Sequence, residues 1–194
     1  MTRIVGILGS VTPPGRMNRA VEGAMQRAAA RGLEVELIDL ADVTIEYADA
    51  RPLSERGDDS AAVVGKLSAA DAVVLASPVY RASMTGALKN LLDLVPVEAL
   101  MGKPVGIVAM GATQYHYLGV DHHLRDVLAW FGALVAPNSV YLASADFVDG
   151  VLNETGSKAL DALLDTLALL SEALAGKAEF GPAPLARPAN RAKT

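Results

Sequence analysis

Apolar positions in this chain follow two periods, and the switches between them mark the elements. Arg3 to Leu8 is a short aliphatic run, the pattern of a strand covered on both faces. From Met17 to Arg31 the spacing turns helical: Val21, Met25 and the Ala28–Ala29 pair share one stripe, and Gly32 follows as a stop. The alternation then repeats. Glu34–Asp39 predicts a second strand and Ser60–Ala70 a second helix. A long polar connection over 41–59 separates them, carrying Pro52, Gly57 and a series of carboxylates from Asp42 to Asp59. Ala72–Ala76 and Thr85–Val95 predict the third strand and helix, and Val105–Met110 and Tyr117–Phe131 the fourth pair. Leu134–Leu142 contains a fifth strand interrupted by Pro137-Asn138, and Lys158–Leu174 a fifth helix.

Five strand–helix units imply an α/β fold with a parallel sheet between two helical layers. Right-handed crossovers leave few topologies, and a five-stranded parallel sheet in the order 2-1-3-4-5, a flavodoxin-like three-layer sandwich, fits best. Such sheets bind ligands at the carboxyl ends of their strands, near the switch point between strands 1 and 3. The loops at 9–18, 77–85 and 110–117 are therefore the ones to inspect. One domain over 1–178 is expected, followed by a proline-rich, basic and disordered tail over 179–194.

Composition narrows the chemistry. The 194 residues are 52% hydrophobic and 20% charged, which is globular composition. Seventeen Lys and Arg against 22 Asp and Glu give a net charge of −5, which argues against a nucleic-acid backbone as partner. The chain has no cysteine, so disulfides, thiolate metal sites, iron–sulfur clusters and cysteine nucleophiles are excluded. The apolar run after Arg3 is too short for a signal peptide, and no run reaches the ~18 residues of a bilayer span. A cytoplasmic location and no membrane association are expected.

Two loops carry the candidate chemistry. Gly9 to Arg19 follows the first strand and opens the first helix, where unpaired N–H groups and the dipole favour a phosphate. Ser10 and Thr12 add hydroxyls, Arg16 a charge and Asn18 an amide. Neither a P-loop nor a Gly-x-Gly-x-x-Gly fingerprint is present, and a plain turn with Asn18 or Thr12 as cap fits the same residues. After the third strand comes Ser77-Pro78-Val79-Tyr80-Arg81-Ala82-Ser83-Met84-Thr85-Gly86-Ala87-Leu88-Lys89-Asn90. Its backbone amides can bond the edge of a flat heterocycle while Tyr80 packs against it; as a plain loop, Tyr80 would simply anchor it.

Together with Leu100-Met101-Gly102-Lys103-Pro104-Val105, Gly111-Ala112-Thr113, His116 and Val120-Asp121, these segments resemble the NAD(P)H-dependent FMN reductase family. The similarity covers about residues 3–150 and is greatest to reductase components of two-component sulfonate monooxygenases. The resemblance implies FMN and NADPH (or NADH) as cofactors. It places the FMN phosphate at Ser10, Thr12, Arg16, the Met17 backbone and Asn18. The isoalloxazine falls at Pro78, Val79, Tyr80, Arg81 and Ser83, with Gly111, Ala112 and Thr113 alongside. Thr12 stands where many relatives carry Arg, and Gly15 and Met17 where they often carry Ser, which thins the phosphate grip.

All three histidines, His116, His122 and His123, fall in or just before the fourth helix. His122 and Asp126 are four apart, but no third ligand stands at helical spacing and no metal is expected. In the resembling reductases this region borders a subunit interface beside the flavin. His122 or His123 therefore either touches flavin or neighbour, or faces solvent. The expected function is hydride transfer from NAD(P)H to FMN with no side-chain acid or base. Reduced flavin would pass to a partner monooxygenase, and the chain would form a homo-oligomer, dimer or tetramer. The alternatives are an FMN-bound quinone or azo reductase and a non-enzymatic flavodoxin-type electron carrier.

Overall fold

The computed structural model describes residues 1–176; the tail expected over 179–194 lies outside them. The elements in chain order are β1 Arg3–Leu8, α1 Arg16–Ala30, β2 Glu34–Asp39, α2 Ser60–Ala69 and β3 Ala72–Pro78. There follow α3 Gly86–Leu94, α4 Val97–Leu100, β4 Pro104–Gly111 and α5 Tyr117–Phe131. The chain continues through β5 Leu134–Val135, β6 Val140–Ala143, β7 Phe147–Val148, β8 Val151–Leu152 and α6 Glu154–Leu174. The sheet runs β2-β1-β3-β4-β5, all parallel, with β6 also on β4. This is the expected order. Alternate residues of each strand feed opposite layers, as a period of two requires. Ile4, Leu8, Ala72, Val74 and Ala76 pack under α1 and α6. Val5, Ile7, Val73 and Leu75 pack under α2, α3 and α5.

The fifth strand is two pieces on one partner. β5 pairs with Pro104 and Val105, and β6 with Val108–Gly111. Pro137 between them has no N–H to donate, so the ladder breaks there. Three features were not expected. α6 begins at Glu154 rather than Lys158 because Asn153 caps it, its Oδ1 accepting from Gly156 N–H at 2.8 Å. β7 and β8 form a hairpin whose turn is Asp149-Gly150, both at positive φ (49° and 79°), the left-handed pair that two-residue hairpins demand. The four-residue α4 is too short to leave a period in the sequence.

One buried and one half-buried cation organise the loops. Arg56 has a fully covered side chain that donates to Asp58 Oδ2 at 3.0 Å, Asp49 Oδ1 at 3.1 Å and the Glu46 carbonyl at 2.7 Å. It gathers the acidic 41–59 connection around itself. Lys103 Nζ donates to the carbonyls of Leu67 at 2.6 Å and Ser68 at 3.0 Å, closing the C-terminal end of α2.

Candidate functional site

The carboxyl ends of β1, β3 and β4 bring the three predicted loops to one rim. After β1 the backbone passes very close to its neighbours. Gly9 N–H donates to the Ala76 carbonyl at 2.7 Å, and a Cβ on Gly9 would lie 2.9 Å from both that oxygen and Leu88 Cβ. The Thr85 hydroxyl donates to the Gly9 carbonyl and accepts the Leu88 N–H at 3.1 Å, so one side chain caps α3 and pins the first loop. Ser10 is buried, its Oγ 2.7 Å from Thr12 Oγ1.

The side chains expected around the phosphate are partly committed elsewhere. Arg16 donates to Ser144 Oγ at 2.9 Å, with its guanidinium 5.2 Å over the Phe147 ring. Asn18 Nδ2 donates to Asp39 Oδ2 at 2.8 Å, while its Oδ1 accepts from Gly15 N–H at 3.3 Å. The Met17 side chain is buried in the α1–α6 layer. The first intrahelical bond of α1 runs from Arg19 N–H to the Gly15 carbonyl. The N–H groups of Arg16, Met17 and Asn18 thus have no helical acceptor; such donors at a helix N-terminus, with the Ser10–Thr12 hydroxyls preceding them in the same loop, could cradle an anion.

The second loop is a two-residue turn. Tyr80 and Ser83 exchange backbone bonds of 2.9 and 3.0 Å around Arg81 and Ala82, at φ 51° and 60°. Two adjacent non-glycine residues in the left-handed region cost about 1–2 kcal/mol each, so neighbouring structure must hold the turn. α5 does this. A Cβ on Gly119 would lie 2.8 Å from the Ala82 oxygen, so only glycine lets the helix approach. His123 Nδ1 sits 2.7 Å from Ser83 Oγ. Val79 N–H bonds the Met110 carbonyl at 2.8 Å, continuing the sheet past Pro78, while Tyr80 is 48% exposed at the rim.

At the third loop the Tyr141 hydroxyl donates to the Thr113 carbonyl at 2.6 Å and fills the space where a Gly111 side chain would project. Burial raises the Tyr141 pKa, and Asp146 adds to this, so the phenol stays a donor. Tyr117 packs edge-on against Tyr141 at 6.2 Å. Ala112, Thr113, His116 and His122 are exposed. Of the histidines, His123 alone makes a side-chain hydrogen bond within the described residues, and it touches the Tyr80–Ser83 turn through Ser83. Among those residues no cluster of metal-ligating side chains occurs. Thr85, Gly119, Tyr141 and Ser144 position the loops without having been singled out for that role. Only Thr85 left a signal, as a cap three residues before Leu88.

The rim suits a flat ring with an anionic tail: backbone amides and hydroxyls at the α1 end, a narrow aromatic-edged turn beside it. Comparison with known proteins bears on this. The sequence matches the NADPH-dependent FMN reductase family over residues 2–147. An NAD(P)H-dependent FAD/FMN reductase of Geobacillus thermodenitrificans is 40% identical over 115 residues, spanning 59% of this chain and 62% of that protein. The NADH-dependent FMN reductase SfnF of Pseudomonas putida is 30% identical over 168 residues, 85% of this chain and 90% of its own. The apo crystal structure of the NADH:FMN oxidoreductase EmoB superposes with a TM-score of 0.73 at 26% identity, covering 97% of each chain. Fold, loop sequence and relatives converge: the chain belongs to the NADPH-dependent FMN reductase family and is a flavodoxin-like oxidoreductase.

Proposed function

We propose that this chain reduces FMN with hydride from NAD(P)H, takes FMN as an exchanging substrate, and yields reduced flavin to a partner monooxygenase. The observation that carries the reading is that the cradle offers backbone N–H groups and a mutually bonded hydroxyl pair, with the neighbouring Arg16 guanidinium engaged elsewhere. Its donors are the N–H groups of Arg16, Met17 and Asn18 with the hydroxyls of Ser10 and Thr12, while the Arg16 guanidinium is held on Ser144 and Phe147. A grip without a salt-bridged cation favours turnover of the ligand over permanent retention.

Pro78, Val79, Tyr80, Arg81 and Ser83 would seat the ring, and Gly111, Ala112 and Thr113 would border it. FMN supplies the hydride acceptor when bound. The protein's contribution is orientation, plus backbone N–H groups at 111–113 that oppose negative charge as it develops on the ring. No side chain is assigned as general acid or base. His123 holds Ser83, and His116 and His122 border the rim without an assigned step. Tyr117 (51% exposed), Leu118 (41%) and Trp130 (58%) leave large apolar side chains uncovered along α5, which supports self-association as a dimer or tetramer.

An NAD(P)H-oxidation assay with added FMN tests the reading. Saturable consumption of free FMN, and purification largely without flavin, are the expected results. Stoichiometric flavin that does not exchange with labelled FMN during turnover, with quinone reduced in place of free flavin, would overturn it.

A further inference from the structure

The loop after β4 has two successive carbonyls held from the same side. Ser144 N–H donates to the Ala112 carbonyl at 3.4 Å, and the Tyr141 hydroxyl donates to the Thr113 carbonyl at 2.6 Å. Tyr141 lies on β6 and Ser144 directly follows it, and β6 flanks β4 on one side while β3 flanks it on the other. In a trans peptide the C=O and the following N–H point in opposite directions, and no cis bond occurs among the described residues. The N–H groups of Thr113 and Gln114 are therefore turned away from β6, toward the side of the Tyr80–Ser83 turn. Neither has a hydrogen-bond acceptor among the described residues, and both residues are exposed at the rim.

Tyr141 is fitted to hold that carbonyl. Its hydroxyl stands where a Cβ on Gly111 would project, so the glycine makes room for it, and Tyr117 braces its ring edge-on at 6.2 Å. Burial, and then the charge of Asp146, raise its pKa, so the phenol keeps the proton that it donates. Any large apolar side chain would serve β6 as a strand residue; the hydroxyl adds the bond to Thr113. We propose that Tyr141 is a positioning residue for flavin reduction: by holding the Thr113 carbonyl it aims the Gln114 N–H at the ring. This rests on the FMN reading above. A donor fixed in advance opposes the negative charge that hydride brings to the ring, without reorganising when the charge arrives. Its effect therefore falls on the reduced ring more than on the oxidised one.

Two variants test it: Tyr141→Phe removes the hydroxyl and keeps the ring, and Gly111→Ala puts a methyl where the hydroxyl stands. Dissociation constants for oxidised FMN, and for FMN reduced beforehand without oxygen, are measured by calorimetry on the full chain. The expected result is that each variant weakens reduced FMN about tenfold, as loss of one charge-assisted contact would, and oxidised FMN by less than about twofold. Steady-state rates should agree, with kcat lowered more than KM for FMN is raised. Equal weakening of both flavin forms, or no change in either, would assign Tyr141 to packing alone and overturn the proposal while leaving the FMN reading intact. Wild-type protein that binds neither form would remove both.

Discussion

Single residues set the shape of the Tyr80–Ser83 turn. Arg81 and Ala82 occupy left-handed backbone that their side chains disfavour, and Gly119 on α5 is what lets the helix press against that turn. Gly119→Ala is therefore predicted to do two opposed things. It gains up to about 1 kcal/mol of helix propensity, and it forces a methyl against the Ala82 backbone, an overpacking cost of about 1–3 kcal/mol. The net expectation is a loss of up to about 2 kcal/mol by urea titration, together with an FMN dissociation constant raised several-fold by calorimetry. Unchanged FMN affinity would mean that the turn does not seat the ring. None of this could be read from the chain alone. An Arg-Ala pair carries no turn signal, and Gly119 looks like any helical glycine until the opposing backbone is in place.

At the scale of elements, alternation of apolar runs marks most strands and helices to within two residues, because a doubly covered parallel strand has an unmistakable pattern; α6, which starts four residues early, is the exception. Glu34–Asp39 and Tyr117–Phe131 match their expected bounds. The β7–β8 hairpin was missed although Asp149-Gly150 is a strong turn signal, since two-residue strands leave no period. The 41–59 connection was legible only as polar; its order comes from Arg56, whose partners are scattered over a dozen positions. Asp58 illustrates the balance. Burial works to raise its pKa, but hydrogen bonds from Ser60, Arg56 and backbone N–H groups hold it well below the usual carboxylate range. Its contribution to folding is thus full above about pH 4, the unfolded value, and is lost as pH falls below that. Arg56→Met is predicted to cost about 3 kcal/mol by leaving that carboxylate buried and unpaired, and to shrink the acid-side fall in Tm.

Lys103 acts at the other end of the pH scale. Burial lowers its pKa to about 8, partly opposed by the charge of Asp71. Between about pH 8 and 10.5 the unfolded chain keeps a proton that the folded chain has released, so this group makes stability rise with pH across that window. Denaturant midpoints of wild type and Lys103→Met, compared from pH 7 to 10.5, should diverge in that direction. A flat difference would refute it.

For the molecule as a whole, topology follows from strand count and crossover handedness, and the switch point between β1 and β3 marks the rim where the three loops meet. The commitments of Arg16 to Ser144 and of Asn18 to Asp39 were not foreseeable, because their partners lie 128 and 21 residues away. Since FMN would bind only the folded chain, it should stabilise that state. At a hundredfold excess over the dissociation constant the gain is about 2.7 kcal/mol, and Tm should climb with FMN concentration. A midpoint indifferent to FMN would contradict the site.

Thr85 caps α3 while gripping the carbonyl of Gly9, so two segments some 75 positions apart hang from the same atom. Their tolerance to change is accordingly joint. Randomising either segment alone will select against variants that a compensating change in the other would rescue, and directed evolution of this pocket will progress in paired steps rather than single ones.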